Sequence, residues 1–174
     1  MTFVDCLTVT LREEGGFVDD PQDSGGITNL GVTLATWERW TKGSVTRAQM
    51  RALTPIDVAP MYRAYFWDAC DCDNLPQGVD LCVFDFAVNA GVARAARYLQ
   101  HIVGAGQDGK IGPATVASVH AFIVASSATV LIARYQQDRA GYYHQLHNFD
   151  HFGKGWLNRA AAIEKAALVM MAGE

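Results

Sequence analysis

The sequence predicts a mainly α fold, a helical bundle with one small β-hairpin near its N-terminus. Three observations carry this. Apolar residues recur at helical spacing along most of the chain, turn-forming residues crowd into one short early span, and no repeat or linker divides the 174 residues. Half of the residues are hydrophobic and 18% are charged, which suits one globular unit covering residues 1–174. That length can bury a core without staples.

Phe3, Val4, Leu7 and Leu11 set a helix over residues 3–13, stopped by Gly15 and Gly16. The helical pattern then fails over residues 17–32. Asp20-Pro21, Gly25-Gly26 and Asn29 are turn signals, while Phe17, Val18, Ile27 and Val32 favour extended backbone, so an irregular hairpin is expected. A helix resumes over 34–41 with Trp37 and Trp40. Thr46 and Gln49 have capping-box spacing. Thr54 suits an N-cap and Pro55 a first helical turn, whereas Pro60 lies deep enough to demand a kink or a second start. The run from Gly78 to Gly104 reads as one or two helices jointed at Gly91. A turn then leads to a helix with Pro113 in its first turn, followed by a long helix over 127–147. Asn148–Gly155 reads as a loop, and a last amphipathic helix covers 156–171.

The net charge of −4 argues against a nucleic-acid partner, which wants clustered Lys and Arg. The longest strongly apolar stretch, His120–Tyr135, is too short to span a bilayer, so no stable membrane insertion is expected. The opening residues carry Asp5 and no basic leader, so a cytoplasmic site of synthesis without a signal peptide is expected. Cys70 and Cys72 form C-x-C and not C-x-x-C. They are read, with Cys6 and Cys82, as buried free thiols. The five His stand at no metal-ligand spacing, so no metal and no cofactor are expected.

The chemistry concentrates in "REEGGFVDDPQDSGGITNLGVT", Arg12–Thr33. Glu14 ends a helix just before two glycines that let the backbone turn sharply. Asp23 follows nine positions later and Thr28 five after that. A hairpin folding back can bring the three together. Glycoside hydrolysis needs such a pair of carboxyl groups, one protonated for the leaving oxygen and one ionised for water. A Glu followed by glycines is equally an ordinary solvated helix end. Glu13 competes with Glu14, and Asp19 and Asp20 compete with Asp23. Adjacent helix positions point about 100° apart, so only one Glu can face the hairpin.

The stretch "EGGFVDDPQDSGGITNLGVT" resembles the opening motif of glycoside hydrolase family 108, E-G-G-Y-x-x-D-P-x-D-x-G-G-x-T-x-x-G-[IV]-[ST]. Phe17 stands where Tyr is common. "FDFAVNAGVARAARYLQ", "DGKIGPATVASV", "YQQDRAGYYHQL" and "FGKGWLNRAAAI" are similar to later family segments, so the likeness covers nearly the whole chain. It implies a lysozyme-like α+β fold, with a catalytic part over 1–103 and a helical C-terminal part over 104–174 that resembles a peptidoglycan-binding region. It also implies cleavage of the MurNAc–GlcNAc β-1,4 bond, with peptidoglycan glycan strands as partner and Glu14, not Glu13, as the acid. Asp23 and Thr28 take the water-positioning role by similarity to phage-type lysozymes, which implies inversion. Asn89 is a candidate for an N-acetyl contact. Asp85, on the same face, is a second candidate but suits a structural hydrogen bond better. Tyr62 and Trp67, with Tyr65 and Phe66, either line a sugar cleft or fill the core. Trp156 and Arg159 are read as packing and surface anchors. The expected setting is a monomeric phage or prophage endolysin reaching the wall by holin- or secretion-linked release. The alternatives are a non-catalytic wall-binding or phage structural protein, and a muramidase that remodels the wall for a secretion system.

Overall fold

Helix α1 (Phe3–Glu14) opens the computed structural model, which describes residues 2–19 and 26–172. Thr2 and Asp5 form a capping box, with the Thr2 N–H donating to Asp5 Oδ2 at 2.9 Å. One stripe, Phe3, Cys6, Leu7, Thr10 and Leu11, is buried. The helix ends at Gly15, whose φ of +78° is left-handed territory that glycine enters freely.

The expected hairpin is small. Strands β1 (Thr28–Asn29) and β2 (Val32–Thr33) pair antiparallel, Thr28 opposite Thr33 and Asn29 opposite Val32, and Val18 bridges to Thr28. Leu30 and Gly31 turn the corner with φ of +50° and +73°, the positive pair that a two-residue hairpin turn needs. Helices α2 (Leu34–Thr41), α3 (Arg47–Ala52) and α4 (Pro55–Tyr62) follow, with capping boxes at Thr46 and Thr54. Pro60 lies inside α4. Beyond it the chain loosens into a π-helical turn (Arg63–Trp67) and two 3-10 turns (Asp68–Cys70 and Cys72–Asn74). A proline supplies no N–H, so this change of helical register replaces the sharper kink expected there.

Helix α5 (Val79–Ala90) is buried from Val79 to Ala87, and α1, α6, α8 and α9 pack around it. A helix apolar on all sides belongs at the centre of a bundle. Gly91, at φ +95°, separates it from α6 (Val92–Val103). Buried Gln100 organises the next turn. Its amide donates to Asp108 Oδ1 (2.7 Å), the Lys110 carbonyl (3.0 Å) and Thr115 Oγ1 (3.1 Å), and accepts from the Gly109 N–H (3.0 Å). Helices α7 (Pro113–Ala125), α8 (Ala128–His144) and α9 (Phe149–Ala172) complete the bundle.

The expected loop at 148–155 is a correction, because α9 already runs from Phe149. Gly153 is there for packing. A Cβ on it would lie 2.5 Å from the Phe149 ring, so the residue that reads as a helix breaker lets an aromatic ring lie on its own helix. All four cysteines are buried. Among the described residues no single helix is long and apolar enough to cross a membrane.

Candidate active site

The site begins where α1 stops. Glu13 is exposed, whereas the Glu14 side chain keeps only 17% of its surface open. Its Oε1 accepts from Arg159 Nη2 at 2.6 Å. The hairpin turn comes down over the other side of the carboxylate. A Cβ on Gly31 would sit 2.8 Å from Glu14 Oε2 and 2.6 Å from the Tyr62 hydroxyl. Gly31 is therefore fixed twice, by its positive φ and by this close approach.

Three contacts tie the hairpin to α3. Asp19 pairs with Arg47, the Arg51 guanidinium lies 4.4 Å over the Phe17 ring, and buried Asn29 donates to the Met50 carbonyl at 2.8 Å. On the other side the Tyr62 hydroxyl donates to the Leu30 carbonyl at 2.8 Å. Burial, and then the charge of Glu14, push the Tyr62 hydroxyl up, which keeps it a neutral donor.

Behind Glu14 lies a buried ionic chain. Arg159 grips Asp85 with two donors, Nε to Oδ2 at 3.1 Å and Nη2 to Oδ1 at 2.8 Å. Arg139 Nη2 pairs with the same Asp85 Oδ2 at 2.7 Å, and its Nε donates to the Tyr143 hydroxyl at 2.7 Å. Tyr143 in turn donates to Asn89 Oδ1 at 2.6 Å. Two carboxylates face two guanidiniums, so the formal charges cancel. Burial works against the charge on Arg159, but Asp85 and then Glu14 outweigh it and hold its pKa above the ordinary guanidinium value.

The candidates sort by these positions. Glu14, Tyr62 and Asp85 come together around Arg159. Asp85 is fully buried, so its place among substrate contacts is corrected to an internal ion pair, while Asn89 four residues later is exposed. Trp67 is likewise corrected. It is 2% exposed, edge-on to Phe3 and Phe84, and its Nε1 donates to Asp73 at 2.8 Å, so it fills the core. Tyr62, 1% exposed, supports the hairpin from beneath and offers no face to a sugar. Thr28 is half-buried on β1, with its hydroxyl 3.4 Å from the Gly26 carbonyl. Asp20 and Asp23 lie outside the described residues. Arg159, read as a surface anchor, is 7% exposed and reaches Glu14 from α9. That role was missed, as were those of Arg139 and Gly31. A charged residue inside an apolar helical stripe was the available signal for both arginines. Among the described residues no three His, Cys, Asp or Glu are disposed to hold a metal.

Residues 7–91 match the family described as Glycosyl hydrolase 108, and residues 94–161 match one described as Predicted Peptidoglycan domain. The solved structure of Brucella abortus SagA shares 38% identity, covers 97% of this chain and 94% of its own, and superposes with a TM-score of 0.83. The chain belongs to the glycosyl hydrolase 108 family. No curated protein matches it. Family membership makes it a glycoside hydrolase acting on peptidoglycan, and the SagA likeness bears out the lysozyme-like α+β reading of the fold. Within this family 108 hydrolase the first matched segment carries Glu14, Gly31 and Asp85, while the second supplies Arg139 and Arg159. The site is closed by a residue from each.

Proposed function

We propose that the protein is an N-acetylmuramidase, a lysozyme that hydrolyses the β-1,4 bond between MurNAc and GlcNAc, working as a phage or prophage endolysin. The observation that carries this is the state of Glu14. Arg159 occupies Oε1, the hairpin turn shelters Oε2, and no other described residue bonds to the carboxylate. Protonated Oε2 passes its proton to the glycosidic oxygen as the sugar–oxygen bond breaks. Water adds to the anomeric carbon and yields a proton to Asp23, with the Thr28 hydroxyl holding it in place. The assignments of Asp23 and Thr28 draw support from the motif's similarity to phage-type lysozymes, and so does inversion. Exposed Asn89, with its Oδ1 fixed by Tyr143 and its amide N–H groups open, suits an N-acetyl carbonyl. The enzyme would meet the wall after holin- or secretion-linked release.

Mass analysis of muropeptides from digested sacculi tests the reading. Reducing MurNAc ends are expected. Reducing GlcNAc ends, or the anhydro ends of a lytic transglycosylase, would overturn the bond or reaction assignment. Glu14→Gln is expected to lower the rate by about 10²- to 10⁴-fold, the usual worth of a general acid. Unimpaired hydrolysis would remove Glu14 from the mechanism.

A further inference from the structure

We propose that the groove between α6 and α8 is a second binding site, and that it takes the carboxylate-bearing peptide arm of peptidoglycan. The proposal rests on peptidoglycan being the substrate. The groove encloses about 650 Å³ and is walled by Arg97 and Tyr98 from α6, by Gln137, Gly141 and Tyr142 from α8, and by Gln145, which caps α8. Helix α8 thus serves two sites. Its Ile132, Tyr135, Gln136, Arg139 and Tyr143 are buried toward the bundle and the ionic chain, while Asp138, Gly141, Tyr142 and Gln145 form the neighbouring stripe that faces the groove.

One glycine opens the groove wall and another seats Arg97. Gly141 sits inside a 17-residue helix, where glycine costs about 1 kcal/mol against alanine. Nothing lies within 4 Å of the Cβ it lacks, so packing does not require it. What its absent side chain leaves open is the groove wall. Gly109, at φ +79°, lies under Arg97, and a Cβ there would come within 3.3 Å of the guanidinium. Glycine therefore lets the Arg97 head lie against the turn that Gln100 holds rigid.

The chemistry of the walls selects the ligand. Among the described residues the Arg97 side chain has no ion pair or hydrogen bond, and the side chains of Gln137 and Gln145 have no hydrogen bond. Arg94 stacks 4.3 Å over the Tyr142 ring and donates to its hydroxyl at 2.6 Å, which stiffens that wall. Arg134 lines an adjoining hollow that shares Gln137 and Asp138. Arg97 thus faces the groove beside a single carboxylate, Asp138, with Arg94 and Arg134 lining adjoining hollows, on a protein whose net charge is −4. An unpaired guanidinium beside free carboxamides fits a carboxylate and peptide amides. In the wall the lactyl carboxyl of MurNAc is amide-linked, so the glycan itself offers no counter-charge there, whereas the peptide arm carries both groups. The groove also lies within residues 94–161, the segment matched to the peptidoglycan domain.

The test is an NMR titration of the full chain with stem tetrapeptide released from sacculi by an amidase, alongside neutral, peptide-free glycan oligomers of GlcNAc alone. Shifts at Arg97, Gly141 and Tyr142 are expected with the peptide, and Arg97→Gln and Gly141→Leu should each weaken it about tenfold, the effect of losing one good contact. Arg97→Lys should recover part of the loss. Thermal melting of each variant checks the fold. No shift in the groove at about 10 mM peptide, weaker than any useful site, overturns the proposal, as does variant binding equal to native or occupation by the peptide-free glycan instead. Failure of peptide binding with glycan hydrolysis intact sinks this proposal alone. Peptide binding without hydrolysis sinks the muramidase reading alone.

Discussion

Asp80 and Asp85 stand on the same helix, one turn and a half apart, and both are buried, at 4% and 0% exposure. Their compensation differs completely. Asp85 is held by Arg139 and Arg159. Asp80 has no cationic partner among the described residues. Its Oδ1 takes the N–H groups of Gly78 and Leu81, each at 2.7 Å, and its surroundings are the thiols of Cys6, Cys72 and Cys82. Burial pushes Asp80 up to about 6 against an ordinary 3.8, although the two backbone bonds oppose the rise. Burial alone therefore does not set a carboxylate's behaviour; what faces it does. The paired one organises the end of the bundle that holds Glu14, and the unpaired one only caps the start of α5.

Removing the charge from the paired residue should have the largest effect. Asp85→Asn leaves Arg139 with no carboxylate and Arg159 with Glu14 alone, and such a break of a buried pair costs about 3–5 kcal/mol. Urea unfolding of the variant measures it. Asp85→Leu with Arg139→Met should recover much of that stability, since a buried pair exchanged for apolar groups is often neutral. It should not recover hydrolysis, because Arg159 would still lack the partner that aims it at Glu14. A double variant as unstable as Asp85→Asn would mean that packing, not charge, carries the effect.

The sequence reached Asp85 and Asn89 as a pair on one face of a helix, which is correct as periodicity. It could not place the boundary of burial between them, because that depends on α8 and α9 arriving from elsewhere. Short-range devices were legible. The capping box at Thr46 and the N-cap at Thr54 stand where T-x-x-Q and Thr-Pro place them, and the hairpin falls where the glycines cluster. Arg159 showed in the sequence only as a charge inside an apolar stripe; its partners, 74 and 145 residues away, were not legible. Gly153 misled for a related reason. Its use is set by the Phe149 ring, while its propensity reports only the backbone. Choosing Glu14 over Glu13 needed the family motif as well as the helix, because α1 alone shows that one of them turns inward but not which.

The unpaired residue offers a smaller test with an opposite sign. Folded Asp80 holds its proton more tightly than the unfolded chain does, so native stability should fall as pH rises from about 4 to about 6 and stay lowered above that. Asp80→Asn keeps an oxygen for Gly78 and Leu81 but never ionises. Its advantage over the native protein should therefore grow across that window to roughly 2–3 kcal/mol, the equivalent of the raised pKa. Chemical denaturation at several pH values gives the difference curve. A flat curve would show that Asp80 ionises as freely as a solvated carboxylate, and the contrast with Asp85 would fail.

Asp73 supplies the third case, a paired carboxylate in water. It meets Arg63 at 2.5 Å, but the two side chains are 57% and 43% exposed. Exposed pairs are worth about 0–1 kcal/mol. Arg63→Met retains the aliphatic stem over α1 and α4, and should cost less than about 1 kcal/mol. Salt separates this pair from the buried one. At about 1 M salt the Debye length drops to roughly 3 Å, so the cost of Arg63→Met should vanish while that of Asp85→Asn persists. Equal salt sensitivity in the two variants would mean that water reaches Asp85, and that its arginines are screened as a surface pair is.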